Sequence, residues 1–334
     1  MATKKALLKH SQAAKLHYRD EDIRWATHEL AAEYRAQRLK CKTIVDIGCG
    51  IGFQSFAFAK ICKKVYAVEI DEEKIKLAKK NAQILGWKNI EFIHGDALSE
   101  KVLKQLKKVD MVFCDPERSP EERKRKVATI KPSIPELLHK YGALTENIAI
   151  EFPPQITELP FDCEREYLSI DGALNRLTLY FGDLKKCERS AVILPGKERL
   201  CPAEEATLKE TERLGEYLYE ADPAVVKAGL LAELSEEAEV ERYEDGKAVF
   251  FTSDKKVKSS FFKNTFKVID MCAQEEHEII AALQKHEAGR VILRIPVDPA
   301  DYWKIRKKME AKLAGDKTYA LLYLGNEAVI VEKA

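Results

Sequence analysis

Short apolar, β-rich runs at 43–47, 64–69, 90–94, 109–114 and 147–152 alternate with segments of helical period. That alternation is the sequence sign of a mostly parallel sheet with crossover helices. Three further runs, 167–170, 177–181 and 191–194, follow at intervals too short for a helix between each pair, which predicts an antiparallel edge. Ahead of the first strand, Ile23, Trp25 or Ala26, Leu30, Ala31 and Tyr34 recur at helical spacing with charged residues between them. Residues 1–40 therefore read as a helical N-terminal arm or lid. The Asp20-Glu21-Asp22 run suits the first turn of a helix, where carboxylates meet exposed N–H groups.

From Pro195-Gly196 onward the chain turns polar and helical without strong apolar periodicity, and 197–216 reads as a linker between a domain at 41–196 and one at 217–334. The second domain is predicted to open with a helix over 217–234, preceded or interrupted at Asp222-Pro223. Strands near 248–252 and 266–271, a helix near 277–286 and a strand at 290–295 come next. A helix over 298–313, with Asp298-Pro299 as N-cap and first residue, and closing strands at 319–323 and 328–331 complete a small α+β domain.

The totals agree with two folded domains: 334 residues, 46% hydrophobic and 33% charged, is a globular balance. Lysine plus arginine (56) nearly cancels aspartate plus glutamate (55), so any basic surface for nucleic acid is local. No run of about 18 apolar residues is present and the first ten residues lack the apolar core of a signal peptide, which predicts a soluble, cytoplasmic protein without a membrane partner. The eight cysteines are scattered, with no Cys-x-x-Cys pair, and the seven histidines form no ligand pair or triad, so no metal is expected. Cys49 and Cys114 lie inside apolar segments, where a free thiol acts as a small hydrophobe.

Candidate chemistry gathers at strand ends. Glycines 48, 50 and 52 are spaced G-x-G-x-G directly after Val45-Asp46-Ile47, where the missing Cβ atoms let backbone N–H groups approach a ligand. Glu69 closes the second strand and suits a bidentate acceptor for two ribose hydroxyls. Gly95-Asp96-Ala97 follows the third, where a carboxylate can take an exocyclic adenine N–H, and Asp115-Pro116-Glu117-Arg118 follows the fourth. All four stand at the carboxyl edge, where open α/β sheets bind ligands.

This set resembles the class I S-adenosylmethionine-dependent methyltransferases, over roughly the first half of the chain. The resemblance implies a Rossmann-like α/β fold with S-adenosylmethionine as cofactor. Asp46, Gly48, Gly50 and Gly52 would lie beside the methionine moiety, Glu69 with Ile70 at the ribose, Asp96 with Ala97 at the adenine, and Asp115 facing the methyl donor. A nicotinamide cofactor is disfavoured by the missing third glycine of G-x-G-x-x-G and by acidic Asp46 where a pyrophosphate would need positive surroundings. Thr27-His28-Glu29 resembles the Thr-Pro-Glu element that some RNA guanine-N2 methyltransferases place over the donor carboxylate; a helix N-cap is the other reading of Thr27. Residues 217–225 and Arg294-Ile295-Pro296-Val297-Asp298-Pro299 resemble the THUMP-like domain that accompanies certain bacterial and archaeal methyltransferases.

Methyl transfer from a sulfonium is an in-line displacement that needs positioning more than acid–base machinery. Asp115, Pro116, Glu117 and Arg118 are the candidate catalytic residues. Relatives that methylate amines carry Asp/Asn-Pro-Pro-aromatic here, so Glu117 and Arg118 leave the target atom open. Asp-Pro-x-Arg also resembles uracil-5 methyltransferases, which need a cysteine nucleophile, but Cys114 reads as packed in the sheet. Arg123, Lys124, Arg125, Lys126 and Lys131 are either a solvated loop or a phosphate-contacting rim. Phe152 reads as core or pocket lining. Lys255 to Lys263 interleaves lysines with Phe261 and Phe262, which suits single-stranded RNA if the rings are exposed and core if they are not. Lys304, Arg306, Lys307, Lys308 and Lys312 form a basic helix face. The expectation is a methyltransferase acting on structured RNA, tRNA or rRNA; a protein or small-molecule methyltransferase and a non-catalytic RNA-binding protein with a retained donor pocket are the alternatives.

Overall fold

The computed structural model describes residues 4–116, 130–156, 159–243 and 249–334. The chain divides into two compact units, Met1–Cys201 and Pro202–Ala334.

In the first unit the elements run α1 (Lys4–Lys9), α2 (Asp20–Trp25), α3 (Glu29–Arg38), β1 (Thr43–Ile47), α4 (Phe53–Ile61), β2 (Lys64–Glu69), α5 (Glu72–Leu85), β3 (Ile90–His94), α6 (Glu100–Leu103), β4 (Met111–Cys114), α7 (Ile134–Gly142), β5 (Ile148–Phe152), β6 (Glu164–Ile170), β7 (Ala173–Tyr180), β8 (Arg189–Leu194) and β9 (Glu198–Leu200). They build one nine-stranded sheet in the order β3-β2-β1-β4-β5-β7-β6-β8-β9. β1 to β5 are mutually parallel, and β7 enters antiparallel between β5 and β6. The predicted mixture of parallel sheet and antiparallel edge is what forms. β1 is buried from Ile44 to Ile47, as a strand covered on both faces must be. α5 is held at both ends, by Asp71 accepting the N–H groups of Glu73 (2.8 Å) and Lys74 (3.1 Å) and by left-handed Gly86.

The expected N-terminal arm is more than an arm. Small residues on α3 bring it close to the sheet: Ala31 packs on Leu168, Ile170, Val192 and Leu194, while Ala32, Ala36 and Leu39 share a core with Ile44, Phe58, Phe113 and Tyr180. Buried charges join the same faces. Arg38 pairs with Glu164 (2.7 Å) and Glu166, Arg199 pairs with Glu164 (2.6 Å), and the hydroxyls of Tyr34 and Tyr180 donate to Glu166 (2.9 and 3.1 Å). Fully enclosed carboxylates are tolerated because each is surrounded by donors.

The segment expected to be a polar helical linker is instead partly sheet. β9 adds to β8 in the first unit, and β10 (Glu210–Thr211) pairs with β12 (Glu241–Tyr243) in the second. The second unit continues β11 (Tyr217–Ala221), α8 (Pro223–Ala228), α9 (Leu231–Glu237), β13 (Phe250–Ser253), β14 (Phe262–Ala273), α10 (Glu276–Lys285), β15 (Ala288–Arg294), α11 (Tyr302–Glu310), β16 (Lys317–Leu324) and β17 (Glu327–Lys333). Its sheet order is β10-β12-β13-β11-β14-β17-β16-β15. Two helix expectations are corrected here. Residues 217–221 form a strand inside this sheet, since Asp222 caps α8 by accepting the Ala224 N–H (2.8 Å) and so ends the extended run. The last helix begins after Asp301, because Asp298 and Pro299 form a turn in which Asp298 accepts the Ala300 N–H at 2.8 Å.

One face of this sheet carries α10 and α11. The other closes on Leu218, Phe250, Phe266, Ala320, Leu322, Leu324, Val329 and Val331. The sheet curls to do so: Arg294 at the β15 edge pairs with Glu220 on β11 (3.1 Å) and lies 5.1 Å over the Phe266 ring.

Candidate active site

Four parallel strands end level with one another. Ile47 stands opposite Val68 and Cys114, and Val68 opposite Ile93, so the residues that follow each strand share one edge. That edge receives the glycine turn after β1, Glu69 at the end of β2, Gly95-Asp96-Ala97 after β3 and Asp115-Pro116 after β4.

Glycine is needed in the turn for two reasons. At Gly48 (φ +75°) a Cβ would stand 2.7 Å from the Asp115 carbonyl oxygen, so only a bare α-carbon lets the turn pass the loop after β4. At Gly50 (φ +54°) no described residue lies within 4 Å of the place a Cβ would take. The Gly50 N–H donates to Glu69 Oε2 (2.8 Å), while Glu69 Oε1 accepts the N–H groups of Ile70 and Asp71, both at 2.9 Å. Glu69 thus holds the turn as well as presenting Oε2, which keeps an acceptor position open. Ile70 beside it is 64% exposed, an apolar surface at the cradle.

Asp46 is only 1% exposed. One of its oxygens accepts the Ser55 hydroxyl, and Oδ1 has no partner among the described residues. Burial, reinforced by the nearby charge of Asp115 and opposed by the Ser55 bond and Arg35, pushes its pKa up to about 7. Asp96 is exposed and accepts the Leu98 N–H (2.9 Å); the Ala97 carbonyl accepts the Tyr141 hydroxyl (2.9 Å), which fixes that loop against α7. Asp115 is half-buried and its N–H donates to the Ile47 carbonyl (3.1 Å), while Pro116 is buried. Glu117, Arg118 and the basic run 123–126 lie outside the described residues; Lys131 is exposed.

Thr27 is buried in the turn between α2 and α3. It does not cap α3: His28 does, its Nδ1 accepting the Leu30 N–H at 3.2 Å. Cys114 is fully buried, and burial raises its thiol pKa well above the usual value, which disfavours a thiolate there. Phe152 is core at 1% exposure. In the second unit Phe261 and Phe262 are also core, with Phe262 stacked on Tyr219 at 4.6 Å. Those rings offer no stacking platform. Lys308 (2.7 Å) and Lys312 (2.6 Å) are paired to Glu276 and Arg306 (2.9 Å) to Glu310, which neutralises part of the expected basic face.

The structure adds residues to this edge that spacing did not single out. Glu151, 2% exposed at the end of β5, is held between Arg35 of α3 and Arg176 of β7. Arg35 also donates to Gln54 and lies 4.5 Å over the Phe113 ring. Ser55 is nine positions after Asp46, a signal present in the sequence; Arg176 reaches the edge only through strand pairing.

The match to known proteins falls on the same stretch. Residues 39–188 match the family model of a methyltransferase domain. The chain is 26% identical over 222 residues to an uncharacterized S-adenosylmethionine-dependent methyltransferase of Mycobacterium tuberculosis, covering 64% of this chain and 60% of that one. Shorter matches, 41% over 78 residues and 42% over 81, join it to uncharacterized RNA methyltransferases of Caldanaerobacter subterraneus and Halalkalibacterium halodurans; each covers 23% of this chain and 17% of the relative. The chain thus spans about 60% of the length of the mycobacterial relative and under a fifth of the other two. A solved structure from Porphyromonas gingivalis W83, provisionally assigned as a methyltransferase, shares the fold with a TM-score of 0.79 at 17% identity, over 99% of this chain and 88% of that one.

The residues at this edge fit S-adenosylmethionine on two observations: the buried acceptor Asp46 Oδ1, unpartnered among the described residues, and the open space over Gly50. Among the described residues no cluster of ligating side chains could hold a metal ion, and no helix is long and apolar enough to cross a membrane.

Proposed function

We propose that the protein transfers a methyl group from S-adenosylmethionine to a base of a structured RNA. The observation that carries the reading is the convergence of Asp46, Glu69, Asp96 and Asp115 with the glycine turn on one sheet edge. In it, Asp46, Gly48, Gly50 and Gly52 border the methionine end, with Thr27 above it. Glu69 and Ile70 take the ribose, and Asp96 and Ala97 the adenine. The donor supplies an electrophilic methyl on a sulfonium. Asp115 and the Pro116 carbonyl orient the incoming nucleophile of the base, which is most of the catalysis such a displacement requires. Glu117 and Arg118 are the remaining candidate catalytic residues.

The RNA part of the reading is supported by the names of the partial relatives and by Lys255, Lys256 and Lys258, exposed on a loop that Tyr219 pins by accepting the Val257 N–H (2.9 Å) and donating to the Lys255 carbonyl (2.9 Å). We assign the second unit as a THUMP-like module that presents the RNA. Nucleoside mass spectrometry of RNA from cells with and without the gene, followed by remethylation of the deficient RNA with labelled donor, tests it. A single methylated nucleoside lost and restored is the expected result. Identical nucleoside profiles, with no label entering RNA, would overturn the RNA substrate.

A further inference from the structure

Three carboxylates and two guanidinium groups meet under α3 at the catalytic edge. Strand register sets their positions. Cys114 pairs with Ile150, so Asp115 lies level with Glu151; Glu151 pairs with Thr178, and Arg176, two residues before it, projects from the same face of β7. Asp46, level with Phe113 through the β1–β4 pairing, belongs to this face too. The β6–β7 hairpin turns on Asp171 (φ +50°) and Gly172 (φ +71°), a pair of left-handed residues that keeps it tight and carries the start of β7 past the end of β5.

The two arginines differ in what they have left to give. Arg35 is 2% exposed and committed to Glu151, Gln54 and the Phe113 ring. Arg176 keeps 14% of its side chain exposed, and among the described residues its guanidinium pairs with Glu151 alone through Nη1. Burial works against its charge, yet Glu151 and Asp115 outweigh that and raise its pKa, so the cation sits in the field of the catalytic loop. It is also felt at His28, where burial and Lys9, and further down Arg176, hold the imidazole pKa low. Arg176 therefore lies on the face of β7 that meets Glu151, level with Asp115, and among the described residues its other guanidinium N–H groups have no partner. The donor ends in an amino acid, and in this reading its carboxylate lies at the methionine end of the cradle, on the side of Asp46 and Asp115, where an anion needs a cation beside it.

We infer that Arg176, held by Glu151, is a donor-binding residue that takes the carboxylate of the methionine moiety of S-adenosylmethionine. This rests on the donor assignment above but not on the RNA substrate. A partly buried guanidinium gripped from behind by a carboxylate is pre-oriented for a small anion, and its depth favours the donor over the phosphate of a polynucleotide.

Calorimetric binding of S-adenosylhomocysteine and of its decarboxylated analogue tests the inference without any methyl acceptor. Arg176→Gln should weaken S-adenosylhomocysteine about 10- to 100-fold, the range of a charge-assisted hydrogen bond, and leave the decarboxylated analogue unchanged. Arg176→Lys should recover part of the loss, because charge returns without the planar fork. Should Arg176→Gln not fold with Glu151 left unpaired, the Glu151→Gln, Arg176→Gln double variant removes both charges and is read in the same way. S-adenosylhomocysteine bound within twofold of wild type, or both ligands weakened alike, would overturn the inference. So would unchanged donor affinity with a raised KM for RNA, which would move Arg176 to a phosphate. Wild-type protein binding neither ligand would instead sink the donor assignment itself.

Discussion

Replacing Asp46 with asparagine separates the carboxyl's electrostatic cost from its place in the fold. The carboxyl is enclosed, with one oxygen on Ser55 and Oδ1 unpartnered among the described residues, and burial lifts its pKa from 3.8 to about 7. Between about pH 4 and pH 7 the folded chain keeps a proton that the unfolded chain has released. Unfolding then sheds a proton, so stability falls as pH rises through this window and levels off above about pH 7. At 1.36 kcal/mol per pKa unit the full loss is at most about 4 kcal/mol, of which at most about 2.7 kcal/mol falls above pH 5, where the assay reads it. The asparagine amide of Asp46→Asn cannot titrate. It leaves a buried N–H in poor surroundings, a constant cost of about 1–2 kcal/mol at every pH. Urea unfolding of both proteins from pH 5 to 8.5 measures the difference: the stability of Asp46→Asn relative to wild type should rise by about 2 kcal/mol between pH 5 and pH 8. A relative stability that stays flat within about 0.5 kcal/mol over that range would refute the reasoning. Donor binding should respond oppositely in wild type, tightening as pH rises through about 7, where the ionised Asp46 can pair with the donor's ammonium.

Other substitutions separate fold from chemistry. Gly48→Ala meets the Asp115 carbonyl and should cost more than the ~1–2 kcal/mol of a left-handed alanine, visible as a lowered melting temperature and lost donor binding. Gly50→Ala, with open space at its Cβ, should pay only that conformational cost and yet block donor binding, so a folded protein that still binds donor at wild-type affinity counts against the cradle. Cys114→Ala should lose about 1 kcal/mol by denaturant titration and keep near-wild-type methyl transfer; abolished transfer in a folded variant would restore the thiol as a nucleophile. Phe262→Ala should destabilise by about 3–5 kcal/mol, since the ring is core against Tyr219. Replacing Lys255, Lys256 and Lys258 with serine should leave the melting temperature unchanged while lowering the log–log salt slope of RNA binding by about 2.

Much of the first unit was legible from pattern. β1 to β3 begin and end where the runs predicted: β1 and β2 are covered on both faces and almost continuously buried, β3 is the half-exposed edge strand, and turn residues bound all three. The second unit was less so. Tyr217–Ala221 has a composition that serves either helix or strand, and its partners, Phe250–Ser253 and Phe262–Ala273, are distant in sequence. Phe262 beside three lysines reads locally as a nucleic-acid platform; its burial depends on Tyr219, more than 40 residues earlier.

By itself the sequence determined the edge. A glycine turn after an apolar strand, an acidic residue ending the next, and carboxylates after the third and fourth are local consequences of chain chemistry, and parallel pairing brings strand ends together without further instruction. Tertiary structure decided the charges on that edge. Whether Asp46 keeps its proton near neutrality depends on Ser55, Arg35 and Asp115 enclosing it. Whether Arg176 belongs to the site depends on an antiparallel register that sets β7 against β5 and places its guanidinium on Glu151. Burial and long-range pairing are sums over residues far apart in the chain, so no local reading of either position contains them.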